Sequence, residues 1–413
     1  MKKIIFSAVT AYAVSLFICG SAQAVPYKGS DSFLTGDWRG HRTALLESGI
    51  DTQIKYTADY WNVLDGGYKD GGNLISALDV AVELDGSLLY GIPNNKTKIR
   101  VVHISGGDIN KARLGSVEGI DNLEAETNSI KLQELWTEQK FDNGKYRVRL
   151  GVQDLNEDFA KTEMTANFSK PSMQLMPTLA NSGKNNTAST YPDPALAITA
   201  EYAPTQLYYM KAGVFDGAAG SSDKKSGTHL KLDSSEGAML IAEAGITPRI
   251  KGDEHREPNK LALGYWRYTK SQQDLAVAGK QEVNQGIYAM MAYEFYADRA
   301  GRSLGAFVKG GISDEDTHQV DFDLQAGFVG KGFVPSRPLG EFGLGYTQAE
   351  NSDDYMRANL TADDREYSLN AYYRDQVIPG IVAQPEFQYI SNPGSDKSVD
   401  SASILGMRLE FNL

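Results

Sequence analysis

Alternation of apolar and polar residues is the feature that most constrains the fold of this chain. In the stretch KYRVRLGVQ, residues 145–153, one parity carries Tyr146, Val148, Leu150 and Val152, while the other carries basic and amide residues. Because successive side chains of a strand point to opposite faces, one face of this segment is apolar and the other is polar. The same pattern recurs along the chain, which favours an all-β fold.

Sixteen such segments can be counted, and their connections alternate in length. The segments begin near residues 50, 75, 96, 129, 144, 195, 206, 236, 259, 285, 302, 320, 338, 365, 380 and 401. The tight turns are 141–144, 203–206 and 298–301, and the long polar connections are 106–128, 154–194, 217–235, 271–284 and 351–364. An up-and-down membrane barrel has short periplasmic turns, long outer loops and an even strand number. The sequence therefore predicts a 16-stranded antiparallel transmembrane β-barrel over residues 50–413.

A barrel explains the two faces better than a soluble β-sandwich does. A sandwich also alternates, with its apolar face inward, but its polar faces rarely carry so many charges beside such long loops. In a closed barrel the apolar face meets lipid, the charged face lines a watery lumen, and every backbone polar group is paired. Tyr60, Tyr293 and Tyr373 are then expected to lie in aromatic belts near the membrane interfaces.

The N-terminus predicts export. Lys2 and Lys3 precede an apolar run from Ile4 to Cys19, followed by a small-residue cleavage site that ends at Ala24. This is the pattern of a secretory signal peptide, residues 1–24. A membrane anchor would need about 20 apolar residues, and a lipoprotein signal normally has a small residue where Ile18 precedes the cysteine.

The next segment, residues 25–49, is expected to lie at the periplasmic mouth of the barrel. It contains one short helix, which Asp37 can cap and which runs to about Ser48, where Gly49 can end it.

Composition excludes several classes of function. The chain has 53 acidic and 41 basic residues, which argues against a nucleic-acid partner. Its one cysteine, Cys19, lies within the predicted signal peptide, so no disulfide is expected. No catalytic site and no histidine metal site is predicted, because the nucleophile motif G-x-S-x-G is absent and the histidines share no metal-ligand spacing. The histidines are His41, His103, His229, His255 and His318.

Three stretches resemble the carbohydrate-selective porins of Gram-negative outer membranes, the OprB-type family. They are LTGDWRGHRTALLESGI (34–50), LQELWTEQKFDNGKYRVRLGVQDLNEDF (132–159) and IPGIVAQPEFQYISNPGS (378–395). The resemblance implies a sixteen-stranded outer-membrane pore, often a homotrimer, that passes monosaccharides such as glucose by facilitated diffusion. It also implies that the N-terminal helix partly plugs the periplasmic mouth. One departure is the last residue, Leu413, where such barrels usually end in an aromatic residue.

The segment QELWTEQ and the next strand supply the candidate substrate-binding groups of the lumen. If Leu135 faces lipid, then Glu134, Trp136 and Glu138 face the lumen together, beside two arginines of the next strand. An indole can contact the C–H side of a sugar ring, and planar charged groups can bond its hydroxyls. The full set of candidates is Trp136, Glu134, Glu138, Arg147, Arg149, Asp79, Glu83 and Arg100. The alternatives are that these charges only pair with one another, and that Trp136 faces lipid.

Two loop features complete the prediction. The connection 154–194 is the longest, and structureless loops of that length are usually functional, so we expect it to fold inward and narrow the pore rather than cover the outer face. The acidic stretches 313–323 and 349–355 are candidates for Ca²⁺ that bridges them to lipopolysaccharide, although a solvated acidic surface is the simpler interpretation.

The sequence therefore favours an outer-membrane porin for monosaccharides that needs no cofactor. Three alternatives remain open: a porin for small organic acids or for general diffusion, a lipase-like barrel enzyme, and a closed structural barrel.

Overall fold

The computed structural model describes residues 32–125, 128–183, 188–219, 226, 235–248 and 259–413. The predicted signal peptide, residues 1–24, lies outside the described residues. Strands dominate the described chain, and the predicted all-β class is confirmed. Within these ranges no helix has the length and apolar character needed to cross a membrane.

Sixteen antiparallel strands close into one barrel, in which each strand pairs with its neighbours in sequence and the first pairs with the last. Their starts agree with the predicted ones to within about four residues, because the alternation that marks them is local. The strands are β1 Ile50–Gly67, β2 Gly71–Asp85, β3 Asn95–Gly106, β4 Ser129–Phe141, β5 Tyr146–Gln153, β6 Ala195–Tyr202, β7 Tyr208–Asp216, β8 Ala238–Ile246, β9 Lys260–Tyr268, β10 Gln285–Ala297, β11 Ser303–Ser313, β12 Val320–Lys331, β13 Glu341–Asn351, β14 Arg365–Ile378, β15 Ile381–Ser391 and β16 Asp400–Asn412.

The helices of the described chain are short and lie in connections. They are α1 His41–Glu47, α2 Gly86–Tyr90, α3 Ile109–Arg113, α4 Pro171–Gln174, α5 Pro177–Ala180 and α6 Asp353–Ala358, with 3₁₀ turns at Trp38–Gly40, Asp142–Gly144, Leu155–Glu157, Glu163–Thr165 and Pro393–Ser395. A two-residue hairpin, Gln272–Gln273 with Gln281–Glu282, stands outside the barrel sheet.

The predicted N-terminal helix is present, but it begins later than expected. Residues Trp38–Gly40 form a 3₁₀ turn, and α1 starts at His41. The N-cap residue of α1 is Gly40 and not the predicted Asp37. The Asp37 carboxylate reaches the first turn from outside the helix, where it accepts hydrogen bonds from the backbone N–H and the hydroxyl of Thr43, both at 2.9 Å. Arg42 Nη2 donates to the carbonyl of Leu413 at 2.6 Å. The helix is therefore fixed to the rim on which the chain ends.

Strand β10 shows how the two faces of the wall are used. Ile287 is 54% exposed on the outer surface, whereas Tyr288 is 2% exposed on the inner one. The outward parity holds Ile287, Met291 and Tyr293, which agrees with the predicted lipid-facing surface. The inward Tyr288 and Met290 are buried although they face the lumen, so another part of the chain must cover them.

Aromatic residues gather on the outer surface at the end of the barrel that carries α1. Tyr146 and Tyr202 stack there with ring centroids 4.9 Å apart, and both are exposed outward. Tyr293 is also exposed outward near the end of its strand. This arrangement fits an interfacial belt, in which amphipathic rings sit at the level of the lipid headgroups.

Candidate functional site

The described part of the connection between β5 and β6, residues 154–183 and 188–194, folds into the lumen, as predicted. Phe159 and Leu179 are fully buried against inward side chains of the wall, including Trp266 and Met290. Phe168 is buried in a second cluster on the far side of the barrel. The alternative that this loop covers the outer face is therefore wrong.

The described part of a second connection, residues 107–125 and 128, also folds inward, which was not predicted from the sequence. Leu114 and Ile120 are fully buried against Trp61 and Ile404 of the barrel wall. Gln388 Nε2 donates to the carbonyl of Ile120 at 2.9 Å. The available sequence signal for burial of this loop was a set of isolated apolar residues, Ile109, Leu114 and Ile120, in an otherwise polar segment.

Carboxylates of the barrel wall hold both loops by their backbone. Each of these acids is buried, faces inward and accepts a hydrogen bond from a loop N–H. Such charge-assisted bonds are stronger than neutral ones. The bonds run from Ala160 to Glu243 at 2.8 Å, from Thr178 to Asp323 at 2.9 Å, from Ser169 to Glu386 at 3.3 Å and from Val117 to Glu366 at 3.0 Å.

The two inward loops also contact each other. Lys170 Nζ donates to the carbonyl of Gly119 at 2.7 Å, and the N–H of Asn122 donates to the carbonyl of Ser169 at 2.7 Å. Because the loops are joined to each other and to the wall, they form one continuous lining inside the barrel.

Three cavities follow one another through this lining. The outer cavity measures about 290 Å³, the central cavity about 350 Å³ and the periplasmic cavity about 670 Å³. The outer and central cavities share Asn122, Asn156, Gln174, Thr190 and Tyr191. The central and periplasmic cavities share Glu157, Lys161 and Thr162. Shared lining residues at both junctions make the three cavities neighbours along the barrel, and we call this series of cavities the passage.

The predicted cluster on β4 and β5 is brought together as expected. Trp136 Nε1 donates to Glu134 at 2.7 Å, and the guanidinium of Arg149 lies 4.0 Å from the centroid of the Trp136 ring. Arg149 Nη2 bonds Glu138 at 2.9 Å, and Arg147 Nη1 lies 3.3 Å from the same carboxylate. Trp136 faces inward, so the alternative of a lipid-facing indole is wrong.

However, the inward loop covers this cluster. Asp158 of the loop pairs with Arg147 at 2.8 Å and with Arg149 at 3.2 Å, and Trp136 is only 5% exposed. Burial alone would raise the pKa of Asp158, but the two guanidinium groups hold that pKa below its usual value. Within the described residues, the linings of the three cavities include none of the five predicted side chains on β4 and β5. Their charges pair with one another and fasten the loop.

Two of the remaining candidates do line the passage. Arg100 donates from Nε and Nη2 to Asp79, at 2.9 Å and 2.6 Å to the same oxygen, and both residues line the central cavity. Glu83 instead pairs with Lys96 at 2.7 Å, outside the linings of the three described cavities.

The central cavity contains further charged groups that the sequence analysis did not single out. Arg374 pairs with Glu410 at 2.6 Å, and Arg408 pairs with Asp59 at 2.6 Å. Three of these residues, Asp59 of β1 and Arg408 and Glu410 of β16, lie on the polar parity of their strands, which was the available sequence signal. The fourth, Arg374, lies on β14. Most cations of this lining therefore have a carboxylate partner, which leaves the cavity polar but close to neutral.

Asp154, at the start of the inward loop, lies in the same cavity. Burial, and to a smaller extent the nearby carboxylate of Glu157, raise the pKa of the Asp154 carboxyl to about 6. Asp154 is thus a lining group whose charge changes in mildly acidic solution.

An acidic cluster forms where three connections meet on the side of the barrel away from α1. Carboxylate oxygens of Asp274, Asp316 and Asp354 lie within 4.8 Å of one another, so the two predicted acidic stretches do meet. Lys280 Nζ lies 2.9 Å from Asp274 and 3.8 Å from Asp316, while Arg357 pairs with Asp354. Two side-chain cations of the protein already partner these three carboxylates and offset most of their charge.

Comparison with known proteins gives a consistent result over most of the chain. The model of the carbohydrate-selective porin family OprB matches residues 73–413. Porin B of Pseudomonas aeruginosa is 22% identical over 440 aligned positions, which cover 97% of this chain and 96% of Porin B. The high-pH structure of Pseudomonas putida OprB has a TM-score of 0.84 at 21% identity and covers 94% of this chain and all of that chain. The outer-membrane channel DcaP of Acinetobacter baumannii has a TM-score of 0.53 at 10% identity, covering 89% of this chain and 98% of that one.

Proposed function

The chain belongs to the OprB family of carbohydrate-selective porins of the Gram-negative outer membrane, and we propose that it carries monosaccharides of the glucose type. Its relatives are porins, which are channels rather than enzymes. Transport is then facilitated diffusion down a gradient, with the central cavity as the step that selects the solute, and it needs no cofactor.

The lining of the central cavity is the observation that carries this proposal. Its volume of about 350 Å³ lies near the lower end of the ~300–1,000 Å³ typical of small-molecule sites. Guanidinium–carboxylate pairs such as Arg100–Asp79 and Arg374–Glu410 present planar hydrogen-bonding edges with little net charge. An uncharged solute with many hydroxyls can exchange its water contacts for these groups and still leave, as a channel requires.

Seven of the eight predicted binding residues divide into two groups under this proposal, and Glu83 belongs to neither. Asp79 and Arg100 contact the sugar, because they line the central cavity. Trp136 and its neighbours on β4 and β5 shape the passage indirectly, because they hold the inward loop through Asp158.

Solute uptake into proteoliposomes tests the proposal. Glucose should enter faster than gluconate, which has the same carbon skeleton and one negative charge, and Arg100→Gln should slow glucose entry. Glu83→Gln is the matched control, because Glu83 lies outside the described cavities and should leave both rates unchanged. Equal rates for glucose and gluconate in the wild-type protein would contradict sugar preference.

A second candidate, a porin for small organic acids, is favoured by one residue. Lys55 lines the central cavity, and within the described residues no carboxylate lies within 4.0 Å of its ammonium group, although Glu410 of the same lining is its electrostatic neighbour. A solute carboxylate could occupy that position. Faster entry of gluconate than of glucose, lost in Lys55→Gln, would support this second function in place of the first.

The processing and assembly of the protein follow the same proposal. Residues 1–24 are removed as a signal peptide after Ala24, which leaves the segment 25–49 at the periplasmic mouth and the barrel domain 50–413. The mature protein forms a homotrimer in the outer membrane, in contact with lipopolysaccharide. N-terminal sequencing of the mature protein checks the cleavage site, and light scattering of the detergent-solubilised protein checks the trimer.

A further inference from the structure

The junction between the outer and central cavities has a composition unlike the rest of the passage. We call the five residues that line both cavities the outer neck: Asn122, Asn156, Gln174, Thr190 and Tyr191. We propose that the outer neck is a separate sugar-binding subsite, in which Tyr191 supports the C–H face of the ring and the amides bond its hydroxyls. This inference rests on the proposed function and names the step at which a sugar is first recognised.

The outer neck has no charged side chain among its five shared residues, and all of them belong to the two inward loops. The inner junction differs, because it contains Glu157 and Lys161, which pair at 3.4 Å. An ion that enters an uncharged neck loses water without gaining a counter-charge, whereas a sugar hydroxyl regains a hydrogen bond from each amide or hydroxyl group. The outer neck therefore favours sugars over ions.

Contacts within the protein fix the orientation of the three amides. One half of each amide is used by the surrounding chain, which settles the positions of its oxygen and nitrogen. The bonds run from Asn156 Nδ2 to the carbonyl of Phe159 at 3.2 Å, from Gln174 Nε2 to the carbonyl of Phe168 at 2.9 Å and from Arg408 Nη2 to Asn122 Oδ1 at 2.6 Å.

The other half of each amide has no hydrogen-bond partner in the described part of the chain. The available groups are two acceptors, Asn156 Oδ1 and Gln174 Oε1, and one donor, Asn122 Nδ2. All three residues are only partly buried. Sugar hydroxyls both donate and accept hydrogen bonds, so a hydroxylated ring can satisfy all three groups at once.

Tyr191 supplies the aromatic surface for the sugar ring, a role that the sequence predicts for Trp136. Its ring packs against the apolar wall cluster that includes Ala77 and Val102, and it lines both cavities. The Tyr191 N–H donates to Asp154 Oδ2 at 3.0 Å, which fixes the backbone on which the ring stands. A ring backed by the wall and fixed at its backbone is a rigid platform for the apolar face of a sugar.

Glucose inhibition of ion current through single channels in planar bilayers tests the subsite. Tyr191→Ala and Tyr191→Leu should raise the half-inhibiting glucose concentration about three- to tenfold, the range that an aromatic contact supplies. Tyr191→Phe should stay within about twofold of wild type, since it keeps the ring and loses only the hydroxyl contact to the Leu123 carbonyl at 3.5 Å. Tyr293→Ala is the matched aromatic control and should have no effect, because Tyr293 is exposed on the outer surface and lies outside the linings of the three described cavities.

The outcomes separate this inference from the proposed function. Normal inhibition in both Tyr191→Ala and Tyr191→Leu overturns the subsite while the proposed function stands. Equal weakening in Tyr191→Phe also overturns it, because the hydroxyl and not the ring would then be responsible. A wild-type channel that glucose does not inhibit, and that admits glucose no faster than gluconate, contradicts the proposed function itself. Tyr191→Leu fills most of the ring volume, which keeps the test valid if Tyr191→Ala does not fold.

Discussion

Phe168 fastens the middle of the inward loop to the barrel wall. Its side chain is 1% exposed, and its ring meets Tyr372 and Phe307 edge-on, with centroids 4.8 Å and 5.7 Å away. Two inward glycines of β13 make room for this packing. A Cβ at Gly343 would lie 2.9 Å from the Phe168 ring, and one at Gly345 would lie equally close. The contact therefore depends on shape as well as on apolar area.

Replacing Phe168 with alanine should detach this part of the loop without unfolding the barrel. A buried Phe→Ala change costs about 3–5 kcal/mol, which corresponds to about a 10²- to 10⁴-fold increase in an opening equilibrium. The wall strands are paired along their length, whereas this part of the loop is held by one apolar cluster and by separate hydrogen bonds such as that from Ser169 to Glu386. The cost therefore falls on local opening of the loop.

Hydrogen exchange of the detergent-solubilised protein, followed by mass spectrometry, measures this opening. The N–H groups of Met173 and Leu175 are bonded within the loop at 3.1 Å and 3.0 Å, so their exchange reports its closure. Exchange across residues 164–176 should rise at least about 10²-fold in Phe168→Ala, while β11 stays protected. Phe328→Ala is the control, because Phe328 is 51% exposed on the outer surface. Unchanged protection of the loop in Phe168→Ala would refute the reasoning.

Three further results are expected from the lining. Arg100→Gln leaves Asp79 without its guanidinium partner, so the reversal potential in a KCl gradient should shift toward cation selectivity, and an unmoved potential would place Arg100 away from the ion path. Because the pKa of Asp154 is raised to about 6 by burial, lowering the pH from 7 to 5 adds a proton and removes a negative charge. Cation selectivity should therefore fall over that interval, and Asp154→Asn should have a smaller pH response in the same measurement. Glu83→Gln should leave both the selectivity and its pH dependence unchanged, because its partner Lys96 lies outside the described cavities.

The barrel could be predicted from sequence because the responsible pattern is local. The alternation within each strand predicts which side chains face outward and which face inward, as it does for Ile287 and Tyr288, and turn residues mark where the strand ends. The inward fold of 154–194 was predicted from length alone. A better signal was present in β10, where the inward Met290 and Ala292 are apolar, although parity does not say which segment covers them.

The apolar residues of the second inward loop indicate that it is buried, but the path of its described residues, 107–125 and 128, could not be predicted from local patterns. It depends on contacts such as Gln388 with Ile120, which are 268 positions apart, and on buried wall acids that look from sequence like any lumen-facing carboxylate. No periodicity within the loop encodes such a pairing.

Only those contacts of the site that join side chains on neighbouring strands could be predicted from the sequence. Trp136 and Arg149 were correctly placed together, because they lie close on paired strands. Their cover by Asp158 depends on the course of a loop and could not be read from either strand. Tyr191 was missed for the same reason, since it stands on a loop with no face pattern and reaches the passage only after that loop has entered the barrel.

Where the loop bonds a wall carboxylate through its backbone alone, as Ala160 bonds Glu243, the attachment does not depend on the loop side chain at that point. Every residue except proline offers the same N–H group. During divergence or in engineering, side chains that face the passage can therefore be replaced one at a time while the loop stays attached to the barrel wall. One scaffold can then serve different nutrients through changes confined to a short tract of coding sequence.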